Sequence, residues 1–230
     1  MSVPPVRELR GHVDGRAGRV ITQRPMSSLA DQALRTFRAE HAPVFAALWR
    51  RFGEFDLVDA ALADAYQAAM AAWPAAGVPQ NPASWMATVA MSATTNVMSR
   101  RVAGAPSPGP STPADDLQAL ILGCCHPDLT LEQGVVCLGR AVAGLMPFEL
   151  SDLLAMPEAT VTGRLDGAKT IMRRSGFRAD LGDDDERATR RARAHAIVAQ
   201  IRALPAPDAG PVADLIDARI AAAFPPPSHG

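Results

Sequence analysis

The chain has 230 residues, 48% of them hydrophobic and only 5% aromatic, with 23 basic side chains against 24 acidic ones and a formal net charge of −1. That length can bury one sizeable core or two small ones, and the near-neutral balance withholds the basic footprint of an autonomous DNA-binding domain. Three cysteines, two of them adjacent (Cys124, Cys125 and Cys137), make no disulfide framework and fit a reducing, cytoplasmic setting. No apolar run is long enough for a signal peptide or a bilayer span, so no membrane partner is expected.

Alanine is abundant and valine and isoleucine rarely alternate with polar residues, which predicts an all-α chain without strands. Residues 1–26 hold arginines and glycines without hydrophobic period and read as a disordered tail. Ser27 or Ser28 is expected to cap a first helix ending near Phe52, with Leu34, Phe37, Phe45, Leu48 and Trp49 inward and Pro43 kinking or dividing it. Asp56 is expected to cap a second helix that ends before Pro74. Val78-Pro79-Gln80-Asn81-Pro82 is a turn in which Asn81 caps a third helix and Pro82 opens it, continuing to Arg101.

Residues 104–113, GAPSPGPSTP, contain four prolines and two glycines, a composition that predicts a linker between two helical domains. The expected division is a first domain over 27–103, a linker over 104–114 and a second domain over 115–181. Within the second, a cysteine-containing helix and a helix near 130–144 precede PFELSDLLAMPEATVTGRLDGAKTIMRRSGF. There the short segment Met156-Pro157-Glu158-Ala159-Thr160 joins two helices as a helix-turn-helix does. Residues 182–230 form a C-terminal helical extension and tail. In it Asp183 to Glu186 favour a helix start through the macrodipole, and 212–223 are amphipathic.

Several of these segments match one family in order and spacing. Trp73-Pro74, Gly77-Val78-Pro79-Gln80-Asn81-Pro82, Trp85, Cys124-Cys125-His126-Pro127 and Met156-Pro157-Glu158-Ala159-Thr160 together resemble a subgroup of the extracytoplasmic-function sigma factors of bacterial RNA polymerase. The resemblance covers roughly residues 30–180. It implies a regulator of transcription initiation whose first domain engages core RNA polymerase and whose second reads promoter DNA. On this resemblance Asp59 and Asp64 face the polymerase. Arg100 and Arg101 touch DNA near the −10 element, and Arg164, Lys169, Arg173 and Arg174 read or hold the −35 element. No cofactor or metal is implied, and a regulatory protein is a further expected partner.

Electrostatics pull the other way. Residues 115–181 carry six basic side chains against nine acidic ones. Asp166 would repel phosphate, and Gly167 weakens its helix by about 1 kcal/mol relative to alanine. The alternative is a sigma-like scaffold without promoter recognition, acting as a protein-binding regulator or as a small-molecule enzyme in an inter-domain cleft. An enzyme would draw on Asp59, Asp64, Tyr66 and His126 for acid/base work. Against that, Asp59 and Asp64 are five apart and diverge on a helix, which favours solvated surface positions. Adjacent cysteines rarely chelate one ion together, so buried thiols are expected rather than a zinc site. The three tryptophans are expected to anchor a core.

Overall fold

The structure, a computed structural model, describes residues 29–101, 111–174 and 183–225. Among them there is no strand. Nine α-helices follow in order: α1 (Leu29–Phe52), α2 (Phe55–Ala76), α3 (Pro82–Arg101), α4 (Pro113–Cys124), α5 (Leu131–Cys137), α6 (Pro147–Leu154), α7 (Glu158–Arg174), α8 (Asp184–Arg202) and α9 (Ala209–Ala223), with a π-helical segment, Leu138–Val142, continuing α5. The tail expected over 1–26, the capping serines Ser27 and Ser28, and most of the linker lie outside the described residues. No helix among the described residues is long and apolar enough to cross a membrane.

Local chemistry sets several boundaries where the sequence put them. Asn81 Oδ1 accepts from the Ser84 N–H at 2.9 Å with Pro82 first in α3, a cap that satisfies an otherwise orphaned donor. Asp183 caps α8 by accepting from Glu186 N–H at 2.9 Å. Other boundaries move. The last residues of the expected linker start α4: Thr112 caps it in a reciprocal pair with Asp115, and Pro113 occupies its first turn. The second helix starts at Phe55, ahead of Asp56, and runs through Pro74 to Ala76, beyond its expected end. The final helix begins at Ala209, before residue 212.

Pro43 does not divide α1, which runs unbroken from Leu29 to Phe52. Proline has no N–H, so the carbonyl four residues earlier loses its helical donor. Here Arg219 of α9 donates to that oxygen, Ala39 O, and replaces the missing bond from outside the helix.

Helix α1 is the hub, packing against α2, α3, α4 and the π segment. The buried side chains form a single cluster that runs from Ala33 in α1 to Ala223 in α9, so the helices on the two sides of residues 104–114 share one core. Helices α8 and α9 cover α4, with α8 also on α5 and α9 on the π segment. They belong to the same packed body and are not an appendage. The aromatic residues anchor the first three helices: Phe37 meets Tyr66 edge-on at 5.3 Å, and Trp73 meets Trp85 edge-on at 5.2 Å.

After the π segment the chain turns at Gly144, whose φ is +71° and where an added Cβ would stand 2.9 Å from His41 Cγ. Helix α6 ends at Ala155 in the left-handed region (φ 49°), and Met156 N–H donates to Ser151 O at 3.2 Å before α7 begins at Glu158.

Two alanine substitutions should separate strain from mere flexibility. Gly144→Ala is expected to destabilise by about 1–3 kcal/mol, since it combines a strained φ with a clash against His41. Gly163→Ala, at a helical position with nothing within 4 Å, is expected to stabilise by about 0.5–1 kcal/mol. Thermal or denaturant unfolding of the two variants measures both.

Candidate functional site

The most concentrated charge chemistry lies where α2, the π segment and α7 meet. Arg140, 2% exposed, extends from the π segment, and its Nε stands 2.5 Å from Asp59 Oδ1. Its two terminal nitrogens donate to Asp59 O at 3.2 Å and to Leu145 O at 3.3 Å. The other carboxylate oxygen of Asp59 lies 2.8 Å from Lys169 Nζ, the only lysine of the chain. One buried carboxylate therefore serves two cations from two different elements. One turn before it on α2, Asp56 pairs with Arg173 at 2.5 Å on the outer edge of the same contact.

Arg140 was not singled out in the sequence, although a signal was there. It stands alone in the apolar run VVCLGRAVAGL, and a buried arginine requires a carboxylate or carbonyl partner. Nothing in the local sequence named Asp59 as that partner, 81 residues away. Asp56 and Glu132 were likewise invisible as ion-pair partners.

Burial by itself would raise the pKa of Asp59. The Arg140 guanidinium and the Lys169 ammonium outweigh it and hold the carboxyl below its ordinary range. His41, packed between Phe37 and Phe45 and against Gly144, lies beside the same cluster. Burial, reinforced by the nearby positive charge of Arg140, lowers its pKa from 6.5 to about 3, so the imidazole is neutral.

The residues expected on a DNA-facing surface are distributed as follows. Arg164 pairs with Glu132 at 2.9 Å, Lys169 with Asp59, and Arg173 with Asp56. The side chains of Arg100, Arg101 and Arg174 lie outside the described residues. The exposed positions of α7 include Glu158, Ala159, Thr162, Gly163 and Asp166, and the exposed cation there, Arg173, already holds a carboxylate. Among the described side chains, the exposed part of α7 carries the carboxylates Glu158 and Asp166 as well as Arg173, and carboxylates there oppose a phosphate backbone.

For the polymerase-facing pair, Asp64 is exposed but Asp59 is 8% exposed, which corrects the expectation that both are solvated. The physical reason is Arg140: a buried guanidinium draws in the nearest carboxylate. The acid/base set proposed for an enzyme is not assembled around one point. Asp59 and Tyr66 are buried on α2, and Asp64 faces outward. His126 lies in the turn after α4, accepting at Nδ1 from Asp128 N–H at 3.2 Å.

That turn is itself closed by α8: Arg193 donates to the carbonyls of Pro127 and Leu129. The three cysteine thiols are buried, and burial pushes all three pKa values up, to about 12 for Cys125, which keeps them protonated. Among the described residues no group of three or more His, Cys, Asp or Glu side chains is arranged to hold a metal ion.

No family model matches the chain, and neither a curated protein nor a solved structure matches it.

Two measurements probe the cluster. Asp59→Asn should cost about 3–5 kcal/mol by leaving buried cations without their counter-charge, while Asp56→Asn, at a partly exposed pair, should cost under about 1 kcal/mol. Unfolding the chain lets His41 bind a proton that the folded state refuses, so stability must fall as pH drops below 6.5 toward 3. Asp59, with its lowered pKa, loses its contribution only below the ordinary carboxylate value of 3.8. The unfolding temperature should therefore decline from about pH 7 to about pH 4, and His41→Leu should flatten that decline.

Proposed function

We propose that the chain is a sigma-like scaffold that works by binding protein and does not read promoters. The observation that carries this reading is the mutual pairing of the two surfaces that promoter recognition would need. Asp59, an acid that the resemblance assigns to polymerase, lies buried against Lys169, a base that it assigns to DNA. Arg173 meets Asp56 and Arg164 meets Glu132 in more exposed pairs that cost little to exchange, so the buried Lys169–Asp59 contact carries the argument. Freeing Lys169 for a phosphate means leaving Asp59 with one partner fewer in a desolvated site, a cost of a few kcal/mol before any DNA contact forms. The outward face of α7 then adds Glu158 and Asp166, whose charge opposes a polyanion.

The order of helices, the proline-rich segment between α3 and α4, and the tight α6–α7 turn support descent from a two-domain, helix-turn-helix architecture. They do not by themselves support its activity, since one fold hosts many functions. The scattered placement of Asp59, Asp64, Tyr66 and His126 weighs against an enzyme.

One observation favours a second reading, a promoter-directed initiation factor. The Asp56–Arg173 pair is exposed, the Arg173 side chain at 64%, and exposed pairs contribute little. Arg173 is therefore available to a competing phosphate at small cost, even though Lys169 is not.

The deciding experiment combines copurification with core RNA polymerase, promoter-dependent transcription and fluorescence anisotropy on promoter duplexes at graded salt. The scaffold reading expects no transcripts and no salt-dependent duplex retention by the wild-type chain, with Asp56→Asn raising retention little. Transcripts from polymerase plus this chain, or a steep salt-dependent gain on Asp56→Asn, would overturn it in favour of the initiation factor.

A further inference from the structure

A groove of about 420 Å³ opens between α5, the α6–α7 turn, α7 and the end of α8. That volume is within the range of small-molecule sites. Its apolar wall is formed by Val135, Leu154, Met156, Ile201 and Leu204, with Ala203 and the polar Gln200 at its α8 side. Val135 and Ile201 are nearly inaccessible, while Leu154, Met156 and Leu204 are only partly covered. No aromatic ring is among the lining residues, so the groove offers no stacking surface for a flat ligand, and a flexible alkyl chain suits it better.

Arg164 supplies the polar end. Its guanidinium contacts Met156 Sδ at 3.2 Å, which turns it toward the apolar wall, and its other terminal nitrogen meets Glu132 at 2.9 Å. The Glu132 side chain is 65% exposed and Arg164 only 27%. A counter-ion that exposed contributes little and is readily exchanged, whereas a guanidinium beside an apolar wall binds a planar carboxylate in a bidentate, charge-assisted fashion.

We infer that this groove is a binding site for a medium-chain aliphatic carboxylate, whose carboxylate replaces Glu132 on Arg164 while its alkyl chain lies along Leu154, Met156, Ile201 and Leu204. The assignment does not rest on the function proposed above, and it is read without polymerase or DNA. Binding is non-covalent: it exchanges one carboxylate for another on the same cation and removes alkyl surface from water.

Calorimetric and NMR titration with octanoate, using the whole chain, tests this. Wild type should bind saturably, and octanol, which has the chain without the charge, should bind about tenfold more weakly. Arg164→Gln should weaken octanoate by about the same factor, and Glu132→Gln should tighten it severalfold by removing the internal competitor. Ala203→Trp, an exposed position on the groove wall, should abolish binding without loss of helicity. The assignment is overturned if wild type shows no saturable octanoate binding. It is equally overturned if Arg164→Gln leaves octanoate affinity unchanged or if folded Ala203→Trp binds as wild type does.

Discussion

A single buried carboxylate, Asp59, joins α2 both to the π segment and to α7. Arg140 could not remain 2% exposed without a counter-charge, because transferring an unpaired guanidinium out of water costs several kcal/mol or more. Asp59 meets that need with its side chain and its backbone carbonyl together, and its second oxygen accommodates Lys169. Three elements, α2, the π segment and α7, are thereby fixed in mutual register. Hydrophobic burial supplies most of the stability of such a body, but it is non-directional. The apolar stripe Val161, Leu165, Ala168 and Met172 sets the inward face of α7, and Lys169 adds a directional contact beside it.

The π segment makes that geometry available. Ala143 N–H donates to Leu138 O and Leu145 N–H to Gly139 O, so the end of α5 is wider than an α-helix. Wide turns of this kind are uncommon and occur mostly as single turns within or at the end of a helix. The chain then turns at Gly144 under His41, so α1 approaches the segment more closely than any side chain at that position would allow. His41 is neutral because it lies within this contact. The same packing therefore accounts for the charge cluster, the positive φ and the shifted imidazole.

The arrangement also bears on the proposed function. A helix that is to hold DNA must present cations that cost little to use. Among the described side chains of α7, Lys169 is engaged by the buried Asp59, while Arg164 and Arg173 meet Glu132 and Asp56 in more exposed pairs. Glu149 illustrates the pattern elsewhere: it caps the start of α6 through Met146 N–H and pairs with Arg38 of α1 at 2.5 Å. Arg50 of α1 likewise pairs with Asp116 of α4 at 2.9 Å. Among the described residues, several ion pairs join one helix to another.

Helical content, the starts of α3 and α8 and the apolar stripe of α1 were legible in the sequence, because caps, prolines and 3.6-residue spacing act within a few residues of one another. The thiols of Cys124, Cys125 and Cys137 were legible as core for the same reason. Pro43 does not divide α1 and Pro74 does not end α2; at Pro43 the replacement donor to Ala39 O comes from Arg219, 180 residues beyond that carbonyl. The surface role expected for Asp59 failed in the same way: its partners lie 81 and 110 positions later. Sequence by itself determined which segments are helical and which residues carry charge. Tertiary structure alone decided whether those charges face water, a ligand or one another, because desolvation and Coulomb energy depend on distances in space that no local pattern encodes.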